Sequence, residues 1–193
     1  MSVPPPGAPL VVKVGGGLTA IPGALDRVGT AVCTLGQSRR VVVVPGGGPF
    51  ADAVRAYDAR FQVSADAAHW MAILAMDQYA QVLAERIAGA TLIEGPGEVA
   101  AVAPGAVAVL APYRWMRAAD VLPHTWNATS DSVAAFVAGA LGSRHLVLVK
   151  PCEEGENLVD HCFAAVLPAG LSCTTIAWDR IEELADRLAS GAR

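Results

Sequence analysis

Two lysines stand apart in this chain. Of its 14 basic side chains only Lys13 and Lys150 are lysines; every other one is an arginine. Each closes an apolar, valine-rich run, LVVK for Lys13 and LVLVK for Lys150. Lysine is a compact charge with three rotatable donors, which suits a phosphoryl oxygen that moves during a reaction better than the rigid fork of arginine does. The plain alternative is a stem that lies on apolar surface and carries its charge into water. Two glycine triplets bear on the choice. Gly15, Gly16 and Gly17 come just after Lys13, and Gly46, Gly47 and Gly48 follow the run Val41 to Pro45. Glycine lets backbone N–H groups approach an anion, and a following helix start adds positive potential. One such loop is also a simple tight turn. Two on neighbouring parallel strands would hold two anionic groups face to face, the arrangement needed to pass a phosphoryl group from donor to acceptor. Neither loop has the G-x-x-x-x-G-K-[ST] spacing, and neither fits G-x-G-x-x-G.

Thr129-Ser130-Asp131-Ser132 opens an alanine-rich segment. Thr129 or Ser130 is a candidate helix cap, and Asp131 complements the helix dipole. With the two lysines in view, Asp131 is equally a candidate to orient Lys13 and Lys150 or to hold magnesium. On the acceptor side, Arg55 lies two helical turns beyond Gly48 and offers a charge-assisted contact to a phosphate. Asp52, Asp58 and Asp77 are candidates to offset a cationic acceptor, with Gln78 as a polar partner. Asp52 and Arg55 also fit a merely solvated helix face. His69 and Trp70 either line the acceptor pocket or pack between helices. Cys152, His161, Cys162 and Cys173 are irregularly spaced, which favours structural thiols over a metal site. Four cysteines without a CxxC pair support neither a zinc ribbon nor a disulfide framework.

The elements that must place these residues are legible as apolar runs. Strands are expected over 10–14, 41–44, 91–93, 107–110, 146–149 and 174–177. Most lack polar alternation, the mark of strands covered on both faces in a parallel sheet. Helices are expected over 23–35, over 50–61 after Pro49, over 64–87 with Ser64 as cap, over 130–141 and over 179–188. Pro96 and Pro104 read as breakers, and 3–9 as an extended, proline-rich lead-in. The chain has 193 residues, 53% hydrophobic and 17% charged, enough for a sizeable core and too apolar for disorder. A net charge of -4 argues against nucleic-acid binding. The mean hydropathy is +0.42, yet no uninterrupted apolar stretch of about 20 residues appears. The first residues lack a basic segment before an apolar core, so a cytoplasmic protein is expected, with neither membrane nor nucleic acid as a partner.

In this order, KVGGGL from Lys13, VVVVPGGGPFADAVR, TSDSVAAFVAGALG and LVLVK resemble the amino acid kinase superfamily, which includes acetylglutamate, aspartate, uridylate and isopentenyl phosphate kinases. More narrowly, GGGPFADAVRAYD, AHWMAILAMDQYA, LPHTWNATSDSVAA and LVDHCF look like the branch of [5-(aminomethyl)furan-3-yl]methyl phosphate kinases of methanofuran biosynthesis. The resemblance implies a three-layer αβα sandwich with a mainly parallel sheet, forming one domain over 1–193. Its acceptor part would span roughly 10–125 and its trimmed nucleotide part roughly 126–193. It implies ATP and Mg2+ as cofactors, a small phosphorylated substrate and a homo-oligomer. By the same resemblance Lys13 and Asp131 are catalytic. Lys13, Gly15, Gly16, Gly17 and Lys150 bind the nucleotide, and Gly46, Gly47, Gly48, Asp52 and Arg55 the acceptor. The chain departs from the family's pattern at Gly17, where serine is usual, and at Pro151-Cys152-Glu153-Glu154-Gly155, which replaces an aspartate-glycine turn. A relative that binds a phosphorylated ligand without catalysis, or a structural subunit, is the alternative.

Overall fold

In the computed structural model, which describes residues 7–103, 105–155 and 158–190, the six apolar runs are strands. They are β1 (Leu10–Val14), β2 (Val41–Pro45), β3 (Thr91–Ile93), β4 (Val107–Leu110), β5 (His145–Lys150) and β6 (Ser172–Ala177). They pair in the order β3-β4-β2-β1-β5-β6, and every pair is parallel. All positions of β1, β2 and β4 are buried, as a sheet covered on both faces demands. Most of the expected proline-rich lead-in lies outside the described residues.

The helices are α1 (Ala24–Ser38), α2 (Gly48–Phe61), α3 (Ala65–Arg86), α4 (Pro96–Val99), α5 (Tyr113–Ala119), α6 (Ser130–Ala140), α7 (Phe163–Val166) and α8 (Leu184–Ser190). Ser64 caps α3 as its sequence suggests, its hydroxyl accepting from the Ala67 N–H at 3.1 Å. Pro96, read as a breaker, is instead the first residue of α4, a position where proline's missing N–H is harmless. The closing helix expected over 179–188 is divided: a 3-10 turn, Trp178–Glu183, precedes α8.

Alternation along the strands divides the core into two layers. Val12, Val14, Val43, Val147 and Val149 pack with α1 and α8. Val11, Val42, Val44, Leu146 and Leu148 pack with α6 and with Trp70, Ile73 and Met76 of α3. The second half of α3, from Tyr79 to Leu83, reaches the first layer. The result is a three-layer αβα sandwich. After β4 the chain crosses the sheet and enters β5 on the far side of β1. β1 and β5 therefore flank a topological switch point, the place where open parallel sheets bind ligands beyond their carboxyl ends.

Candidate active site

The register explains why the two lysines meet. Lys13 of β1 stands beside Leu148 of β5, and Lys150 lies two residues further along, so both side chains leave the same face of the sheet. That face is the one α6 covers, and Asp131 sits in the first turn of α6. Asp131 Oδ1 lies 2.8 Å from Lys13 Nζ. Lys150 Nζ donates to Oδ1 at 2.8 Å and to Oδ2 at 2.7 Å. Lys13 and Asp131 are each 4% exposed and Lys150 9%. Burial pushes the Lys13 ammonium below its usual range; Asp131 opposes that fall and Lys150 adds to it. Burial alone would raise the Asp131 carboxyl, but the two ammonium groups override it and hold the carboxyl below its ordinary value. Two ammonium groups share one carboxylate, which leaves an excess positive charge at a buried point. Such a charge is costly unless an anion joins it.

The two glycine loops touch each other. A side chain at Gly16 would run into the backbone of Gly48, and one at Gly46 into the backbone of Gly16. Gly48 also has φ +56, a left-handed conformation that strains any other residue. The triplets divide by task. The Gly15 N–H donates to the Val149 carbonyl at 2.9 Å, and the Gly46 N–H to the Val14 carbonyl at 2.8 Å, so these two amides extend the sheet. Gly16, Gly17, Gly47 and Gly48 line a cleft. The first two open a 3-10 turn, Gly16–Ala20; Gly47 and Gly48 open α2, whose start is capped by no side chain among the described residues. Beneath both loops lies Tyr79, fully buried, its hydroxyl donating to the Gly15 carbonyl at 3.4 Å.

The cleft has a volume of about 450 Å³ and three walls. One is a face of α2 with Ala51, Asp52, Arg55 and Asp58; a second is a face of α3 with Ala68, His69, Ala72, Ile73 and Met76; the third is Thr125 to Val133. Both spacings, three or four residues apart, are those of one helix side. Arg55 bonds Asp52 at 3.3 Å and lies over the Trp126 ring, 4.8 Å from its centre. Trp126 Nε1 donates to Asp58 Oδ2 at 2.8 Å. Lys13, Asp131 and Lys150 are not in the cleft wall; Ser130, next to Asp131, is.

The structure separates the remaining candidates. His69 is in the cleft wall and stacks on His124 with ring centres 4.1 Å apart; burial and His124 push its imidazole down to about 4, so it is neutral near pH 7. His124 stands between Asp66, at 2.6 Å, and Asp120, at 2.9 Å. Trp70 is core, packed edge-on against His69 and His124. Asp77 does not line the cleft: its Oδ1 accepts the Tyr113 N–H that opens α5, at 2.9 Å, and Gln78 is exposed. Among the described residues no three His, Cys, Asp or Glu side chains gather as metal ligands, and the four cysteines are free thiols.

Sequence reasoning missed Asp160. Neither Thr129 nor Ser130 caps α6 with its own side chain. Instead Asp160 does so from a distant loop. Its Oδ2 accepts from the Thr129 N–H and hydroxyl, both at 2.9 Å, and from the Ser132 N–H at 3.0 Å. Its Oδ1 accepts from the Ser132 hydroxyl at 2.5 Å and the Cys162 N–H at 3.1 Å. Residues 129 and 132 are thus gripped on either side of Asp131, which fixes the turn that aims the carboxylate at the lysines. A three-residue spacing of hydroxyls around an aspartate hints at this, but the partner carboxylate has no sequence signal.

Sheet order, switch point and paired glycine loops define the class: a parallel α/β sandwich with two glycine loops meeting at the carboxyl edge of its sheet. The amino acid kinase family profile matches residues 8–151, and the chain belongs to that family. It is similar to [5-(aminomethyl)furan-3-yl]methyl phosphate kinase of Methanocaldococcus jannaschii, 30% identical over 141 residues. That match takes in 72% of this chain but 63% of the relative, so the chain spans less than two thirds of that protein's length. Its fold is that of uridylate kinase from Archaeoglobus fulgidus, with a TM-score of 0.70 and 14% identity over 92% of this chain and 95% of the other. UMP kinase from Ureaplasma parvum gives 0.64 and 12% over 93% and 94%.

Proposed function

We propose that this protein transfers the terminal phosphoryl group of ATP to a small phosphomonoester, [5-(aminomethyl)furan-3-yl]methyl phosphate or a close analogue, to give a diphosphate for a methanofuran-type cofactor. The observation that carries the reading is the buried Lys13–Asp131–Lys150 junction beside two glycine loops in backbone contact. An oxygen of the acceptor phosphate attacks the terminal phosphorus of ATP, and the bond from that phosphorus to the ADP oxygen breaks. In such a transfer charge shifts among phosphoryl oxygens, and catalysis is mainly positioning and charge neutralisation. The excess positive charge at the junction supplies the neutralisation, through Lys13 and Lys150. Gly47 and Gly48 offer amides to the acceptor phosphate, Gly16 and Gly17 to the nucleotide. Magnesium arriving with ATP would be held by phosphate oxygens, because both Asp131 oxygens already serve the lysines.

The reading includes a cytoplasmic homo-oligomer; no described helix is long and apolar enough to cross a membrane. Incubation with magnesium-ATP and the furan phosphate should yield ADP and the diphosphate, and no turnover removes the claim. One observation favours a second reading, a ligand-binding relative without catalysis. The loop after β5 is bound back onto the protein by Glu153, which accepts from the Ala177 N–H and pairs with Arg180 and Arg187. Calorimetry separates the two: acceptor binding without magnesium-ATP binding supports the second.

A further inference from the structure

The cleft runs from the glycine loops to a carboxylate that forms no ion pair among the described residues. Three charged side chains of α2 line it, Asp52, Arg55 and Asp58. Asp52 and Arg55 pair with each other at 3.3 Å. Asp58 is half-buried, and its side-chain partner among the described residues is the indole N–H of Trp126, a neutral donor. His69 opposite is uncharged near pH 7. The described lining therefore carries two carboxylates against one guanidinium, and the carboxylate without an ion pair lies beside apolar Val63, Ala65 and Ala68.

We propose that Asp58 receives the ammonium group of an amine-bearing phosphomonoester whose phosphate sits at Gly47 and Gly48, with Trp126 as the positioning residue that holds the carboxylate toward the cleft. The proposal rests on the acceptor reading above and assigns the residue that selects it. The distances agree. From Gly48 to Asp58 the helix rises about 15 Å. A phosphate on backbone amides, a five-membered ring with a one-carbon arm on either side, and an ammonium–carboxylate contact of about 2.8 Å together cover roughly that length. The walls between are alanine, isoleucine and methionine, suited to the flat faces of a small ring. A neutral hydroxyl in place of the amine would leave Asp58 without its counter-charge, so the site discriminates by charge as well as shape.

The test is calorimetric titration of the full chain with [5-(aminomethyl)furan-3-yl]methyl phosphate and with its hydroxymethyl counterpart, repeated on Asp58→Asn and Trp126→Phe. The wild-type protein should prefer the amine by about 10- to 100-fold, the usual weight of a hydrogen bond to a charged group. Asp58→Asn should erase that preference while its affinity for the hydroxyl compound stays within about twofold, which also reports an intact fold. Trp126→Phe should reduce the preference by about threefold, because the carboxylate remains but loses its tether. Equal weakening of both ligands by Asp58→Asn, an unchanged amine affinity, or no preference in the wild-type protein overturns the assignment. ADP release on adding magnesium-ATP is read separately. A clear preference for the amine with no ADP release keeps Asp58 and sinks transfer; ADP release with no preference does the reverse.

Discussion

Where β2 ends, charged side chains face an open cleft; where β5 and β6 end, they face one another. On the β2 side Asp52, Arg55 and Asp58 stand along a wall of the 450 Å³ space. On the β5 side Glu153 takes the Ala177 N–H, Arg180 and Arg187, and Glu183 takes the same two arginines at 2.8 and 3.0 Å. Asp160 ties the same stretch of chain to α6. One half leaves polar groups along an open cleft, and the other uses them to hold its own loops together. The buried lysine–aspartate–lysine junction sits between, at the switch point. Under the proposed transfer, the β2 side would offer its ligand a cleft already shaped, whereas a nucleotide on the β5 side would lie over a surface already stitched together.

The strongest test of this division is to cut the junction in two ways. Asp131→Ala leaves two ammonium groups buried without a counter-charge and should cost about 3–5 kcal/mol in urea denaturation. Lys13→Met keeps the Lys150–Asp131 pair, so stability should hold within about 1 kcal/mol while turnover falls by about 10²- to 10³-fold. Equal destabilisation by both would mean that the junction is structural only. Next comes Asp160→Ala, which strips the far-side cap from α6. It should cost about 2 kcal/mol and speed hydrogen exchange at the Ser132 amide; an unchanged exchange rate would show that α6 starts correctly without the loop.

A smaller effect is expected at Asp77. Burial raises its carboxyl to about 6, against the opposing Tyr113 N–H and with Glu94 adding to the rise. A raised carboxyl favours the protonated fold, so stability is full below the ordinary value of 3.8 and declines as pH rises through about 6. Asp77→Asn should therefore gain about 1 kcal/mol at pH 7, after allowance for partial exposure, and nothing near pH 4. Thermal melts at the two pH values check it, and a gain that is larger in acid would reverse the sign. The least effect should come from Glu153→Gln. Partly exposed ion pairs contribute under about 1 kcal/mol and fade with salt. A loss several times larger would promote the β5 side from a stitched surface to a core of stability.

The strands were legible because a parallel sheet buried on both faces writes itself as unbroken valine and leucine. Lys13 and Lys150 were legible because lysine is scarce here and both interrupt such runs. Their meeting on Asp131 was legible only as one of several options: it depends on β5 lying beside β1, which local pattern cannot state. Helices α4, α5 and α7 escaped because each has seven residues or fewer, too short for a 3.6-residue period to show. Asp160 and Trp126 escaped for another reason. Asp160 bonds Ser132 across 28 residues, and Trp126 bonds Asp58 across 68, so no spacing within a motif marks either. Gly15 and Gly46 were grouped with their triplets, though their amides prove to be the last rungs of the sheet.

Main chain meets main chain where Gly16 abuts Gly48, and that has a consequence for how such a molecule could change its diet. The base of the cleft works as a fixed ruler stop: with no side chain between the loops, there is nothing to trim or lengthen, and any added atom pries the two loops apart. If the proposed transfer takes place there, adaptation to a longer or differently charged molecule would fall to the open mouth, around Asp58, Val63 and Trp126, while the end at the loops stays at a constant gauge.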